Sequence, residues 1–391
     1  MVRPDFDEVL PRHRLSTAKW EMEIARTGDP GILCFGTADM DFRSPPAVRR
    51  AIRDVADTGH FGYPFTPQSY YDAIVQHYAR RGWTVPEEWL SSHVGIYASM
   101  QPLIEILTRP GDGVVFQSPA HHIFEELIRA NGRVPRINPL AAAGDTYTMD
   151  LDHLASVVDD RTRLLLLCNP HNPVGRVWTH SELLALHEFC ASRDIRILAD
   201  EVYYGLLYPG VSFTPMASIS HSASMNTVTV TSASKSFNLT GLTHSLVICE
   251  NRKILDAYHD ELKKTNVYFG GSMMGIVATE AALRHGDDWL RSLMAYVGGN
   301  LDLLRSWAAE HAPGVRVHRP EGTYFAWLDC AAWGLDDEAV VEFLESAARI
   351  VVSPGHRLGP GGTGHIRLNL ACPRSTLVAG LERLGAALAH R

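Results

Sequence analysis

A few short stretches of this sequence carry side chains that could do chemistry together. Ser232-Ala233-Ser234-Lys235-Ser236-Phe237 places a lysine among hydroxyls, just after the apolar run Val228-Thr229-Val230. A hydroxyl-rich turn suits a phosphate, and a lysine held there can condense with an aldehyde to a Schiff base. Taken alone, Lys235 reads equally as a solvated loop lysine. Asn169-Pro170-His171-Asn172-Pro173-Val174-Gly175 is rich in turn formers, and Asn172 could donate to a phenolate oxygen. Asp200 follows the apolar run Ile197-Leu198-Ala199. A carboxylate at a buried strand end needs a cationic partner. A protonated pyridine nitrogen would serve, and its charge would keep the ring an electron sink. Tyr203 could point to the same face. Gly95-Ile96-Tyr97 opens a helix whose free N–H groups favour a phosphate, as those of any helix start do. Arg367 lies inside Ile366-Arg367-Leu368-Asn369-Leu370. It needs an anion, either an internal carboxylate or an α-carboxylate held bidentate.

The elements that must position these residues are legible between about residues 90 and 250. Ile96, Met100, Leu103, Ile104 and Leu107 recur at helical spacing, and Pro110-Gly111-Asp112-Gly113 closes that stretch. Val114-Val115-Phe116 predicts a strand, and Ile123, Phe124, Leu127 and Ile128 a further helix. Leu164 to Leu167 is a continuous apolar run, the mark of a strand buried on both faces. Thr179-His180-Ser181-Glu182 has the capping-box form. Ile195 to Leu198 and Thr227 to Thr231 predict two more strands. Alternating strands and helices imply a mostly parallel sheet covered on both faces, with ligands beyond the carboxyl ends of its strands. The polar clusters fall at those ends. After about residue 285 helical stretches (Leu290 to Ala309, Asp337 to Ala348) alternate with two short strands, Thr323 to Leu328 and Ile366 to Leu370. That pattern predicts a smaller α+β domain, joined by roughly the first 45 residues.

The 391 residues are 46% hydrophobic and 20% charged, with net charge −8. That composition is globular, and the length calls for about two domains. No basic stripe marks a nucleic-acid partner. Six scattered cysteines form no CxxC pair, so no metal is expected and a reducing compartment is. The charged N-terminus lacks the apolar run of a signal peptide, and no stretch is apolar enough to cross a membrane. The expected location is therefore cytoplasmic. Lysine occurs only at positions 19, 235, 253, 263 and 264, which makes Lys235 conspicuous.

In order and spacing, Asn172, Asp200, Tyr203, Lys235 and Arg367 resemble the fold-type I enzymes of pyridoxal 5′-phosphate (PLP), the class I/II aminotransferase superfamily. Over the whole chain the resemblance sharpens to the MalY/PatB cystathionine β-lyase group. Its marks here are Phe6-Asp7-Glu8-Val9-Leu10, Ala18-Lys19-Trp20, Ala38-Asp39-Met40-Asp41-Phe42, His60-Phe61-Gly62-Tyr63, Gly322-Thr323-Tyr324 and Arg367-Leu368-Asn369-Leu370-Ala371-Cys372-Pro373-Arg374. The resemblance implies an α/β fold with a mostly parallel seven-stranded sheet in a large domain (46–285), a small C-terminal α+β domain (286–391), and a segment 1–45 joining the latter. It implies that Lys235 carries PLP and moves the Cα proton, and that Asp200 holds the pyridine nitrogen. Asn172 and Tyr203 face the 3′ oxygen. Ser232 and Ser234, with the amides of Ile96 and Tyr97, hold the phosphate. Arg367, with Ala38 and Asn172 nearby, binds the amino-acid substrate. Tyr63 reaches in from a second subunit, so a homodimer with shared sites is implied.

Three stretches depart from that pattern, and a further position, Thr243, differs from many aminotransferases but not from the lyases that also lack the arginine. His121, in Pro119-Ala120-His121, stands where the family stacks a tyrosine on the ring. Asp200-Glu201-Val202-Tyr203 follows the aminotransferases rather than the lyases. Gly36-Thr37 replaces Trp-Val and predicts a wider substrate side. Thr243 stands where many aminotransferases have a phosphate-binding arginine. The leading expectation is β-elimination from an S-substituted cysteine, giving thiol, pyruvate and ammonia. The alternatives are oxidative deamination or decarboxylation of a cysteine conjugate, transamination, and, outside enzymes, a regulatory binding protein on the same fold.

Overall fold

In the computed structural model, residues 4–11, 16–267 and 271–390 are described. Seven strands form the central sheet: β1 (Leu90–His93), β2 (Gly113–Ser118), β3 (Val134–Pro139), β4 (Thr162–Cys168), β5 (Arg196–Asp200), β6 (Thr227–Thr231) and β7 (Ser245–Ile248). Their spatial order is β1-β7-β6-β5-β4-β2-β3. β7 runs antiparallel to both its neighbours, and the remaining pairs are parallel. The expected mostly parallel seven-stranded sheet is therefore what the chain forms.

The apolar run of β4 shows why. Leu164 and Leu166 pack on one face with Met100, Leu103 and Ile104 of the helix Ile96–Leu107. Leu165 and Leu167 pack on the other with Leu183 and Leu186 of the helix His180–Ala191. Successive side chains point to opposite faces, so a strand covered on both sides must be apolar throughout. The second helix starts where the sequence predicts. The Thr179 hydroxyl accepts from the Glu182 N–H, and the Glu182 carboxylate accepts from the Thr179 N–H.

Parallel register then brings three strand ends together. Cys168 is paired with Asp200, and Asp200 with Val230. Asn169, Asp200 and the Ser232–Lys235 turn consequently leave the sheet along one edge.

The C-terminal part begins with the long helix Asp287–His311. An antiparallel sheet follows, ordered Arg316–Val317, Phe325–Asp329, His365–Asn369, Ser353–Pro354. Register sets Arg367 opposite Trp327 on one side and Ser353 on the other. Leu33–Cys34 pairs in parallel with Ile350–Val351. The helix predicted over Asp337 to Ala348 is α-helical only over Asp337–Glu342 and widens into a π turn at Phe343–Ala347. Among the described residues no helix is long and apolar enough to cross a membrane, and no cluster of metal-binding side chains occurs.

Candidate active site

Beyond the strand ends lies a cavity of about 190 Å³. Lining it are Ala38, Ile96, Tyr97, His121, Asn172, Asp200, Tyr203, Ser234 and Lys235, all singled out by the sequence. They arrive from six separate stretches of chain, which is what folding contributes.

Lys235 sits in the one-turn helix Ser234–Phe237 after β6. Its Nζ donates to the Ala38 carbonyl at 2.9 Å and reaches the Thr240 hydroxyl at 3.4 Å. Burial lowers the amine's pKa; the Asp39 charge opposes this, and Arg367 adds to the lowering. Asp200 is 5% exposed. Its carboxylate accepts the Val202 N–H at 3.2 Å and has no ion pair among the described residues. Burial pushes its pKa up to about 7, against the Val202 N–H and the Lys235 charge.

Arg367 is 4% exposed and likewise lacks a carboxylate among the described residues. Its guanidinium donates to Asn172 Oδ1, the Gly36 carbonyl and Ser353 Oγ, each at 2.8 Å. It lies over the Phe325 ring at 4.1 Å, and its Nε–H is buried without an acceptor. An internal salt bridge, one of the two readings the sequence allowed, is not formed. With Oδ1 of Asn172 taken by Arg367, the Nδ2 end remains as a donor. The Tyr203 ring packs edge-on against Tyr324 and Phe325, and burial raises its hydroxyl pKa.

The helix Ile96–Leu107 opens into the cavity behind Gly95, whose φ of 134° favours glycine. The Gly95 carbonyl is held by the Ser99 hydroxyl at 2.8 Å. His121 lines the cavity beside Tyr97, ring centroids 5.7 Å apart, and its Nδ1 accepts the Ile123 N–H at 3.4 Å. Burial holds the imidazole well below its usual pKa, helped by the Arg367 charge.

Two expectations meet a different geometry. Ser232 does not line the cavity: its hydroxyl donates to the His244 carbonyl at 2.6 Å and accepts the Ser234 N–H at 3.0 Å. It braces the Lys235 turn from behind. Gly36 and Thr37 do not widen the cavity either. A Cβ on Gly36 would meet the carbonyl carbon and oxygen of Val352 at 3.1 Å, so its missing side chain serves a close backbone approach. Tyr63 is 84% exposed and lies outside its own chain's cavity. The sequence reading missed Thr240, Tyr324 and Ser353 as neighbours of the site. Tyr324 donates to the Ala38 carbonyl at 2.8 Å, and Ser353 holds Arg367. Neither contact has a signal in spacing, because each depends on strand register across distant segments.

The cavity thus offers an amine, an acceptor for a ring N–H and donors for a phosphate, and Arg367, bonded to its lining residue Asn172, is a cation without a carboxylate partner among the described residues. The family model for aminotransferase class I and II matches residues 30–384. Cystathionine beta-lyase PatB of Bacillus subtilis is 33% identical over 98% of this chain and 100% of its own. Two solved structures are similar throughout. Cystalysin of Treponema denticola, which contains pyridoxal 5′-phosphate, gives a TM-score of 0.95 at 28% identity, covering 100% of both chains. The PLP-bound C-S lyase of Staphylococcus hominis gives 0.92 at 28%, covering 99% of this chain and 98% of its own.

Proposed function

Because this chain belongs to the aminotransferase class I and II family, we propose that it is a PLP-dependent carbon–sulfur β-lyase acting on an S-substituted L-cysteine. The observation that carries the reading is a cavity lined by Lys235 and by the buried Asp200, with the buried guanidinium of Arg367 bonded to its lining residue Asn172 and neither charge in an ion pair among the described residues. The residues fit PLP. Asp200 is a buried carboxylate lacking a cation, as a pyridine N–H requires. The Ile96–Leu107 helix start and the Ser234 hydroxyl suit the phosphate. Asn172 Nδ2 and the Tyr203 hydroxyl are donors for the ring oxygen, and His121 offers a flat neutral face.

PLP bound there supplies an electron sink for the carbanion left when an amino acid loses its Cα proton. The protein's own part is positional and protolytic. Arg367 takes the α-carboxylate, using a donor that has no acceptor within the chain. The Lys235 amine, kept less basic by burial, accepts the Cα proton and can return one to the departing sulfur. The Cβ–S bond breaks, the thiol leaves with a proton, and hydrolysis of the three-carbon remainder gives pyruvate and ammonia. His121, held neutral by burial, stacks rather than donating a proton as a cation. Transamination is the second reading, favoured by Tyr203 in place of the lyases' histidine.

The functional unit we propose is a homodimer. Phe61, Tyr63 and Phe65 are 65%, 84% and 82% exposed on one loop, an apolar patch of the kind that marks an interface. In the dimer, Tyr63 of the partner subunit would complete each cavity. The domain limits proposed are 1–45 with 286–391, and 46–285. All six cysteines are buried, a usage that suits the cytoplasm.

Product analysis tests the reading. Thiol and pyruvate in equal amounts from S-methyl-L-cysteine, with no acceptor added, support it. A keto acid appearing only with an acceptor, or an aldehyde only with dioxygen, overturns it. Borohydride should fix the cofactor on Lys235, which peptide mass spectrometry reads directly.

A further inference from the structure

Lys235 Nζ is held by two acceptors from different stretches of chain. It donates to the Ala38 carbonyl at 2.9 Å and to Thr240 Oγ1 at 3.4 Å. Ala38, Lys235 and Thr240 all line the cavity.

Both acceptors are fixed by contacts that do not involve Lys235. Asn369 Nδ2 donates to the Thr37 and Asp39 carbonyls, each at 2.7 Å, and so pins the chain on either side of Ala38. The Tyr324 hydroxyl donates to the Ala38 carbonyl itself at 2.8 Å. Thr240 opens the short turn Thr240–Leu242, and its own carbonyl accepts the Thr243 N–H at 3.2 Å. Asn238 ties the two segments together. Its Oδ1 accepts the Met40 N–H at 3.2 Å, and its Nδ2 donates to the Met40 and Phe42 carbonyls at 3.0 and 2.8 Å.

A neutral lysine amine has two N–H bonds and one lone pair, and it turns about Cε–Nζ unless its hydrogens are held. Two acceptors hold both hydrogens, which leaves the lone pair one direction. We propose that Thr240 is a positioning residue: with the Ala38 carbonyl it locks the Lys235 amine and aims its lone pair at the Cα proton of the substrate. The inference rests on the proposed role of Lys235 as the base, which the lyase and transamination readings share. After the transfer the ammonium has three N–H bonds. Ala38 and Thr240 hold two, and the third is the one just formed and the one that can be returned. Acceptors favour the charged form, so the same contacts counter the effect of burial on Lys235. The groups whose charge acts on Lys235 are Asp39, Arg367 and Asp200, with His121 also facing it; none is altered by a change at Thr240.

Two measurements test the role of Thr240. Acetic anhydride labels only neutral amines. In apo protein the pH dependence of Lys235 acetylation, read by peptide mass spectrometry against the exposed Lys253, therefore reports its titration. Thr240→Val keeps the side chain's shape without the hydroxyl and should move that titration down by roughly half a pH unit. Thr240→Ser should titrate as the wild type does. In PLP-loaded protein, exchange of the Cα proton of L-alanine for deuterium is followed by NMR. Alanine has no leaving group at Cβ, so exchange reads proton transfer alone. Thr240→Val should lower the maximal exchange rate roughly tenfold, with KM and the cofactor's absorbance little changed, and Thr240→Ser should recover most of the rate. A Lys235 titration or an exchange rate untouched by Thr240→Val, or a loss that Thr240→Ser shares in full, would overturn the assignment. A wild type that exchanges no Cα proton removes Lys235 as the base and the aiming with it, while the apo titration still decides whether Thr240 holds the amine.

Discussion

The cavity and the N-terminal clamp beside it hold buried charge in opposite ways. In the clamp, Lys19 and Asp41 have side chains only 2% and 11% exposed, and they meet at 2.9 Å. Two donors there have acceptors in the chain: Lys19 also bonds the Asp39 carbonyl, and Trp20 bonds Asp41. At the cavity, Asp200 in its wall and Arg367 behind Asn172 are as deeply buried, and neither has an ion pair among the described residues. An uncompensated buried charge costs several kcal/mol. A chain that carries two of them at one cavity holds them for a ligand, whereas the clamp is finished without one. Burial by itself marks neither structure nor function; the presence of a partner distinguishes them.

The comparison can be broken at either end. The largest effect should come from the clamp. Lys19→Ala leaves the Asp41 carboxylate buried and uncompensated, and should lower unfolding stability by about 3–5 kcal/mol in denaturant titration. A loss under about 1 kcal/mol would mean the pair is worth no more than a surface one. Next is Arg367→Ala. It removes a cation that has no anionic partner among the described residues, together with its hydrogen bonds to Asn172, Gly36 and Ser353, so stability should fall less than for Lys19→Ala. The substrate KM should increase by the equivalent of about 1.5–3 kcal/mol, with the bound cofactor's absorbance unchanged. Lower stability with unaltered KM would move Arg367 into the structural class.

The smallest effect is a slope. The Asp200 pKa is raised in the fold to about 7 from an ordinary value of 3.8. Between those values the folded apo state keeps a proton that the unfolded chain has lost, so this carboxyl's stabilisation fades as pH rises from about 4 to 7. Asp200→Asn apo protein should therefore gain in Tm over the wild type as pH increases through that range. Adding PLP should stabilise the wild type more than the variant. A Tm difference independent of pH would show that Asp200 titrates normally and that its burial carries no message.

Much of the site was legible because each chemical group is introduced by a local pattern. Leu164 to Leu167 announces a strand, and Asn172 follows it. Ile197 to Ala199 announces another, ending in Asp200. Thr227 to Thr231 delivers Lys235. The three fall at one edge simply because parallel strands share a direction. The orientation of Ser232 was not legible for a reason equally local: a hydroxyl at the start of a turn can face either way, and here it donates to the His244 carbonyl. Gly36 misled because the absence of a side chain was read as empty space, when the Val352 backbone fills it.

The sequence by itself therefore determined which chemical groups the protein owns and the strand ends that present them. Periodicity and capping act over a few residues, and they need no knowledge of what packs on the other side. Only the tertiary structure decided which of those groups find partners. Arg367 meets Asn172 across 195 positions of chain, and Lys235 meets Ala38 across 197. The Lys19–Asp41 pair closes, while Asp39 has no ion pair among the described residues. Such outcomes depend on register and on the approach of distant segments, and no spacing along the chain encodes them.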